Sequence, residues 1–325
     1  MFNILVPDNL NQAGLDMLAK IKEFEIYAPG KMSREDTLAA APKAHAMIIR
    51  SDTTVDRELL EHAPHLKVVV RAGVGVDNID LAACTEHGVV AMNTPDANTI
   101  STAEHAIALM LALARQIPQA DASMRAGRWD RKQFMGMELY GKTLGLIGFG
   151  RVGRAVAERA QCFGLMEIAY DPFVPDEVAR HLGLSLVPRV EQLLEQADIL
   201  SLHAVVNDAT RELINAETIA HMKDGVLIVN AARGKLINNA DLAAALKSGK
   251  VGGAALDVYD VEPPDADNPL LGLPNVIYTP HLGASTQEAQ DAVGTQAADA
   301  VSNALIKDRY DNVRNRDVFN VLGQS

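Results

Sequence analysis

Four ionisable side chains in the second half of the 325-residue chain stand at or just past short apolar runs: Arg233 in "NAARG", Asp257 in "ALDVYD", Glu262 in "DVEPP" and His281 in "TPHLGAST". Each run reads as a buried strand, and in an open parallel sheet ligands gather at the carboxyl ends of the strands. Groups far apart in sequence can therefore converge. Their types suit one reaction. Moving a hydride to or from a secondary alcohol also moves a proton, and imidazole is the side chain matched to that task near neutral pH. A carboxylate such as Glu262 orients the ring and favours its charged form. A guanidinium such as Arg233 forks onto a carboxylate and polarises the adjoining carbonyl. His281, Glu262 and Arg233 together describe a site for a 2-hydroxy or 2-oxo acid.

Taken singly, each residue has a plainer reading. Glu262, ahead of Pro263 and Pro264, is a solvated loop residue; Arg233 is a charge at a helix entry; His281 is a structural histidine. Asp257 is better read as a supporting or cofactor-side carboxylate than as a catalyst. The other histidines, His105 and His203 among them, lack such company, and no metal-site spacing occurs.

A hydride needs a carrier. "GLIGFGRVG" places Gly148-x-Gly150-x-x-Gly153 between an apolar strand and a helix, the setting a dinucleotide cradle requires. Gly148 serves the tight turn, Gly150 lets backbone approach a pyrophosphate, and Gly153 packs helix on strand. The amides of Arg151 and Val152 then face phosphate from the positive end of the helix. Asp171 closes the next strand, "EIAY", where a carboxylate takes ribose hydroxyls and repels a 2′-phosphate, so the expected cofactor is NAD rather than NADP. The plainer reading of Asp171 is a turn starter ahead of Pro172.

The elements that must position these groups alternate strand and helix throughout. "NILVP", "AMIIR", "LKVVVR" and "GVVAMN" read as strands of a first domain of four or five strands. A second alternation from "GKTLGLIGFG" to "NVIYT" adds six or seven. The expectation is α/β: two doubly wound parallel-sheet domains, the larger a Rossmann NAD-binding domain (99–285) inserted into a discontinuous substrate-binding domain (1–98 and 286–325). The first domain lacks a closing segment, which the C-terminal tail is expected to supply. "NTISTAEHAIALMLALARQI" reads as a long apolar helix capped by Ser101 or Thr102, with Glu104 completing a box. It is expected to cross between the domains and pack against a partner.

Composition narrows the partners. A formal charge of -12 lacks the basic footprint that nucleic acid or an anionic membrane needs, and leaves room for a small anionic ligand. The N-terminus reads as a strand rather than a signal peptide, no apolar run is long enough to span a bilayer, and Cys84 and Cys162 make no bridge framework. A cytoplasmic protein is expected.

The motifs "RAGVGVDNID", "NTPDANTISTAEH", "RKQFMGMELYGKTLGLIGFGRVG", "NAARG", "ALDVYDVEPP" and "PHLGASTQEA" are similar to those of the D-isomer-specific 2-hydroxyacid dehydrogenases, over residues 1 to about 314. "HLGAST" and "FMGMEL" point to the phosphoglycerate branch. The resemblance implies NAD-dependent oxidation of 3-phospho-D-glycerate to 3-phosphohydroxypyruvate, with Arg233 binding the substrate carboxylate, His281 as acid and base, and Glu262 as its partner. It implies cofactor contacts from Val74, Ala204, Ala231, Ala232, Arg233, Asp257, His281, Gly283 and Ala284. It also implies substrate amides at Gly73, Val74 and Gly75, and a phosphate held by Arg50 and Arg71. Arg131 or Lys132 would reach a neighbouring subunit in a homodimer formed through the NAD-binding domain. Longer members of the family carry a serine-sensing regulatory domain beyond the matching region; here serine feedback at such a domain is not expected. The alternatives are a hydroxypyruvate or glyoxylate reductase and, from another class, an NAD(H)-sensing corepressor. The chain departs from the family pattern at Lys235, Asn238 and Asn239, and at Val205 and Val206.

Overall fold

The computed structural model describes residues 1–323. The chain divides into two units: Met1–Asn98 with the segment from Ser285 onward, and Thr99–Ala284.

In the first unit, β1 (Phe2–Leu5), β2 (Phe24–Tyr27), β3 (Ala46–Ile49), β4 (Val68–Arg71) and β5 (Val90–Asn93) form a parallel sheet in the order β2-β1-β3-β4-β5. β1, β3, β4 and β5 coincide with the four apolar runs; β3 and β5 are buried at every residue, as strands covered on both faces must be. β2, "FEIY", is an edge strand of mixed burial, and its interrupting Glu25 hides it from a search for apolar runs. The helix Gln12–Ala19 packs on the helix Gln287–Lys307 through two glycines: a Cβ at Gly14 would lie 2.6 Å from the Gly294 carbonyl oxygen. The C-terminal segment closes the unit. Arg314 N–H donates to the Ala91 carbonyl at 2.8 Å, the Asn315 side chain bonds Ala91 N–H and the Val89 carbonyl, each at 2.9 Å, and Val318 is buried.

In the second unit, β6 (Thr143–Ile147), β7 (Met166–Tyr170), β8 (Ser185–Leu186), β9 (Ile199–Leu202), β10 (Val226–Asn230), β11 (Val251–Leu256) and β12 (Val276–Tyr278) are all parallel, in the order β12-β11-β10-β9-β6-β7-β8. The chain winds outward from β6 in both directions, so the switch in strand order lies between β6 and β9. Apolar layers cover both faces, one around Met110, Leu144 and Val156, the other around Leu193, Leu200 and Leu242.

The apolar helix spans Thr99–Ala114 and lies wholly within this unit, so it does not cross between units. Its Ala106, Leu109, Met110 and Leu113 are buried in the unit's own core, which accounts for its apolarity without a partner. The expected cap is not formed. Ser101 and Thr102 sit inside the helix and donate instead to the Gly283 carbonyl, at 2.8 and 3.2 Å, because that buried oxygen needs a donor. Glu104 pairs with Arg159 at 3.5 Å. A second helix, Ile117–Arg125, follows where the sequence reads as a polar stretch; Pro118 stands in its first turn. Among the described residues no helix is long and apolar enough to cross a membrane.

Candidate active site

β10, β11 and β12 are neighbours in the sheet, so the loops that leave their carboxyl ends are neighbours as well. Arg233 follows β10, Asp257 and Glu262 follow β11, and His281 follows β12. Gly234 shows how tight the junction is: a Cβ there would lie 1.9 Å from the Tyr259 carbonyl carbon. This close approach holds the Arg233 backbone against the loop that carries Glu262.

His281 Nδ1 lies 2.6 Å from Glu262 Oε2, and Glu262 Oε1 accepts Tyr259 N–H at 3.0 Å. Burial pushes the Glu262 carboxyl up, but the hydrogen bonds from His281 and Tyr259, with the nearby charges of His281 and Arg233, outweigh it and hold its pKa below the usual carboxylate value. An ionised Glu262 can only accept, so the Nδ1 hydrogen belongs to His281. The ring is half exposed. Arg233 donates from one guanidinium nitrogen to the Ala232 carbonyl at 2.7 Å, and the Asn230 side chain pins the Arg233 carbonyl at 2.9 Å. The structure thus brings Arg233, Glu262 and His281 together.

Asp257 is fully buried and organises the loop that bears His281. Its Oδ1 accepts Thr279 Oγ1 at 2.6 Å, Leu282 N–H at 2.7 Å and His105 Nε2 at 3.1 Å, while Oδ2 accepts Gly283 N–H at 2.9 Å. Burial raises the Asp257 carboxyl, and these donors more than offset it, leaving its pKa lowered. His281 itself has φ 55°, a left-handed conformation, and its N–H donates to the Asp257 carbonyl at 2.8 Å. A non-glycine residue keeps that conformation only where its surroundings impose it. His105 therefore does have company, contrary to expectation. Ser101, Thr102 and His105 form a polar stripe at helical spacing on a largely apolar helix, and that stripe is the signal that it touches a buried polar partner.

At the strand-order switch, the glycine loop has the shape a dinucleotide needs. Gly148 has φ 91°, and a Cβ there would lie 2.6 Å from the Ala204 nitrogen. A Cβ at Gly153 would lie 2.3 Å from the Gly148 carbonyl oxygen, whereas one at Gly150 would meet nothing within 4 Å. The loop is thus tight underneath and open above, and the helix Arg151–Ala160 starts there with no side chain capping its amides among the described residues. Asp171 Oδ2 accepts Phe149 N–H at 2.8 Å and Oδ1 accepts Phe173 N–H at 2.9 Å, so it braces the loop and starts a turn. His203, beneath the loop, has a buried ring Nδ1 and Ser201 Oγ at 2.9 Å from Nε2; burial pushes its pKa down to about 4. Asn238 caps the helix Asn239–Ser248, a role for one of the unusual residues.

The D-isomer specific 2-hydroxyacid dehydrogenase NAD-binding domain matches residues 107–283. The chain belongs to the D-isomer specific 2-hydroxyacid dehydrogenase family. Its matched segment is the family's NAD-binding domain, and it spans all three residues of the Arg233–Glu262–His281 group. The chain is 50% identical, over 97% of its length, to a D-3-phosphoglycerate dehydrogenase of Methanocaldococcus jannaschii, of which it spans 60%. It spans between 48% and 60% of the curated relatives it matches with most similarity. Among solved structures, a glyoxylate reductase from Paecilomyes thermophila is 33% identical with TM-score 0.87, covering 97% of this chain and 98% of that one. An NAD-dependent formate dehydrogenase from Staphylococcus aureus, in complex with NAD, is 29% identical with TM-score 0.83, covering 96% and 98%.

In the first unit, Arg50 and Arg71 stand at the ends of adjacent strands β3 and β4. Asp8 accepts the Arg50 N–H and, at 2.6 Å, the Thr53 hydroxyl; Asn78 donates to the Arg50 carbonyl at 2.6 Å. The Arg71 guanidinium lies over Gly73, where a Cβ would come within 1.8 Å of Nη1. Gly73 N–H donates to Thr94 Oγ1 at 2.8 Å, so the first of the three amides expected to meet substrate is paired within the chain.

Proposed function

We propose that this dehydrogenase oxidises 3-phospho-D-glycerate to 3-phosphohydroxypyruvate with NAD, the entry to serine synthesis. The observation that carries the chemistry is the 2.6 Å pair of His281 and Glu262 beside Arg233. Glu262 fixes the Nδ1 hydrogen, so Nε2 of neutral His281 takes the hydroxyl proton of the substrate. When bound, NAD supplies the nicotinamide that accepts the hydride from C2. Arg233 forks onto the substrate carboxylate and stabilises charge on the adjoining oxygen. The start of the helix Arg151–Ala160, with the amides of Arg151 and Val152 and the open Gly150, would hold the pyrophosphate, and Asp171 would take the ribose hydroxyls and favour NAD over NADP. Ala204, Ala231, Ala232, Gly283 and Ala284 would complete the cofactor contacts, whereas Asp257, buried with both oxygens engaged in the loop, supports the site rather than touching the cofactor.

The phosphate reading rests on Arg50 and Arg71, side by side at their strand ends, and on the names of the relatives about half of whose length is matched. Steady-state assays of NADH oxidation with 3-phosphohydroxypyruvate against hydroxypyruvate test it. The phosphorylated substrate should be preferred, and Arg50→Ala with Arg71→Ala should remove that preference by roughly 10²-fold or more, since two charge-assisted contacts are lost. Equal use of both substrates by the unaltered chain would instead favour the reductase reading. The proton relay weighs against a sensing role, which has no use for one. We further propose that the enzyme is cytoplasmic, in keeping with its two unbridged cysteines, and that it forms a homodimer through the NAD-binding unit, which the exposed Met124, Trp129, Met135 and Tyr140 support.

A further inference from the structure

We propose that His105 is a positioning residue for the dehydrogenase: through Asp257 and Thr279 it holds the backbone of the loop that presents His281. This rests on the assignment of His281 to proton transfer. The geometry fixes the protonation of the ring nitrogen involved. His105 Nε2 lies 3.1 Å from Asp257 Oδ1 and 3.2 Å from Thr279 Oγ1. The Thr279 hydroxyl hydrogen points to Asp257 Oδ1 at 2.6 Å, and an ionised carboxylate has no hydrogen to give. Nε2 must therefore carry the hydrogen and donate to both oxygens.

Asp257 Oδ1 also receives Leu282 N–H, Oδ2 receives Gly283 N–H, and the Asp257 carbonyl receives His281 N–H. One buried carboxylate and its own backbone thus hold three successive amides, and the first of them belongs to the residue with φ 55°. His105 is the one side chain from the helix Thr99–Ala114 that reaches this carboxylate; Ser101 and Thr102, a turn earlier, hold the Gly283 carbonyl from the same helix. The loop is thus held at two points by a single helix. His105 touches neither of the reacting groups, so its effect passes through loop position.

The test compares the full-length His105→Leu and His105→Gln variants by amide hydrogen exchange over residues 279–284 and by steady-state kinetics. The glutamine amide keeps a donor at similar reach; the leucine keeps the volume without one. His105→Leu should speed exchange at Leu282 and Gly283 about tenfold or more, the value of a lost hydrogen bond to a charged group, and lower kcat by a similar factor with the KM for NAD unchanged. His105→Gln should restore both to within about threefold of the parent. Should the leucine variant fail to fold, His105→Asn, whose amide is too short to reach Asp257, replaces it with the same expected effects. Exchange at the parent rate in the leucine or asparagine variant overturns the proposal, as does a glutamine variant that restores neither quantity. The exchange measurement needs no turnover, so a chain inactive on every 2-hydroxy acid would sink the assigned chemistry and still leave the positioning role decided.

Discussion

His203 should make the NAD-binding unit acid-sensitive in a way that can be computed in advance. The residue follows β9, beside β6, and its carbonyl carbon lies 2.6 Å from where a Cβ on Gly148 would be. Burial of its ring disfavours the imidazolium and lowers its pKa from 6.5 to about 4 in the folded chain. A base with a depressed folded pKa leaves stability intact above the unfolded value and removes it as pH falls below that value, because the unfolded chain binds the proton first. Linkage then sets the loss at about 2 kcal/mol at pH 5 and about 3 kcal/mol at pH 4, with almost none at pH 7. The residue keeps some surface at the strand end, so these figures are ceilings. Urea titrations followed by circular dichroism at pH 7, 6 and 5 measure it. The parent chain should lose stability relative to His203→Gln over that interval, since glutamine does not titrate. Parallel pH dependences for the two proteins would show that the ring is not kept neutral by the fold, and the reasoning would fail.

Two further substitutions address the reaction. His281→Ala should reduce kcat by about two or more orders of magnitude, the usual cost of removing a general base, with NAD binding retained in a fluorescence titration; near-parent turnover would remove His281 from the mechanism. Asp171→Asn keeps an oxygen for the Phe149 or Phe173 amide and deletes the charge that repels a 2′-phosphate. The ratio of kcat/KM for NAD over NADP should fall by roughly tenfold or more, and an unchanged ratio would leave Asp171 as a brace for the loop alone.

Much of this architecture was legible because buried parallel strands carry a strong signal. "AMII" and "VAMN" have no polar residue facing solvent and could only be covered on both sides. Where the physics is less local, the sequence is silent. β2 alternates charge with apolar residues at a sheet edge, and nothing in "FEIY" distinguishes it from a loop. The Gly14–Gly294 crossing joins residues with no pattern in common, since a close helix approach depends on the partner helix. The same holds for His105. A histidine's hydrogen-bond partner is chosen by tertiary packing, so an inventory of histidines by their sequence neighbours could find the polar stripe at Ser101, Thr102 and His105 but not the carboxylate it meets.

The two carboxylates that follow β11 illustrate how one strand end divides its labour. Asp257 and Glu262 are five residues apart, both accept hydrogen bonds, and both have lowered pKa values. Asp257 is enclosed and receives backbone amides, a hydroxyl and His105, so its charge is fully engaged in holding the loop. Glu262 lies farther out, meets one backbone amide and the imidazole, and keeps enough exposure to sense what enters beside it. A buried charge with every oxygen satisfied is costly to alter and poorly suited to a changing partner. A half-exposed one, hydrogen-bonded to an exposed imidazole, can meet a changing partner. The two carboxylates therefore separate into a fixed anchor and a responsive partner, and their burial decides which is which.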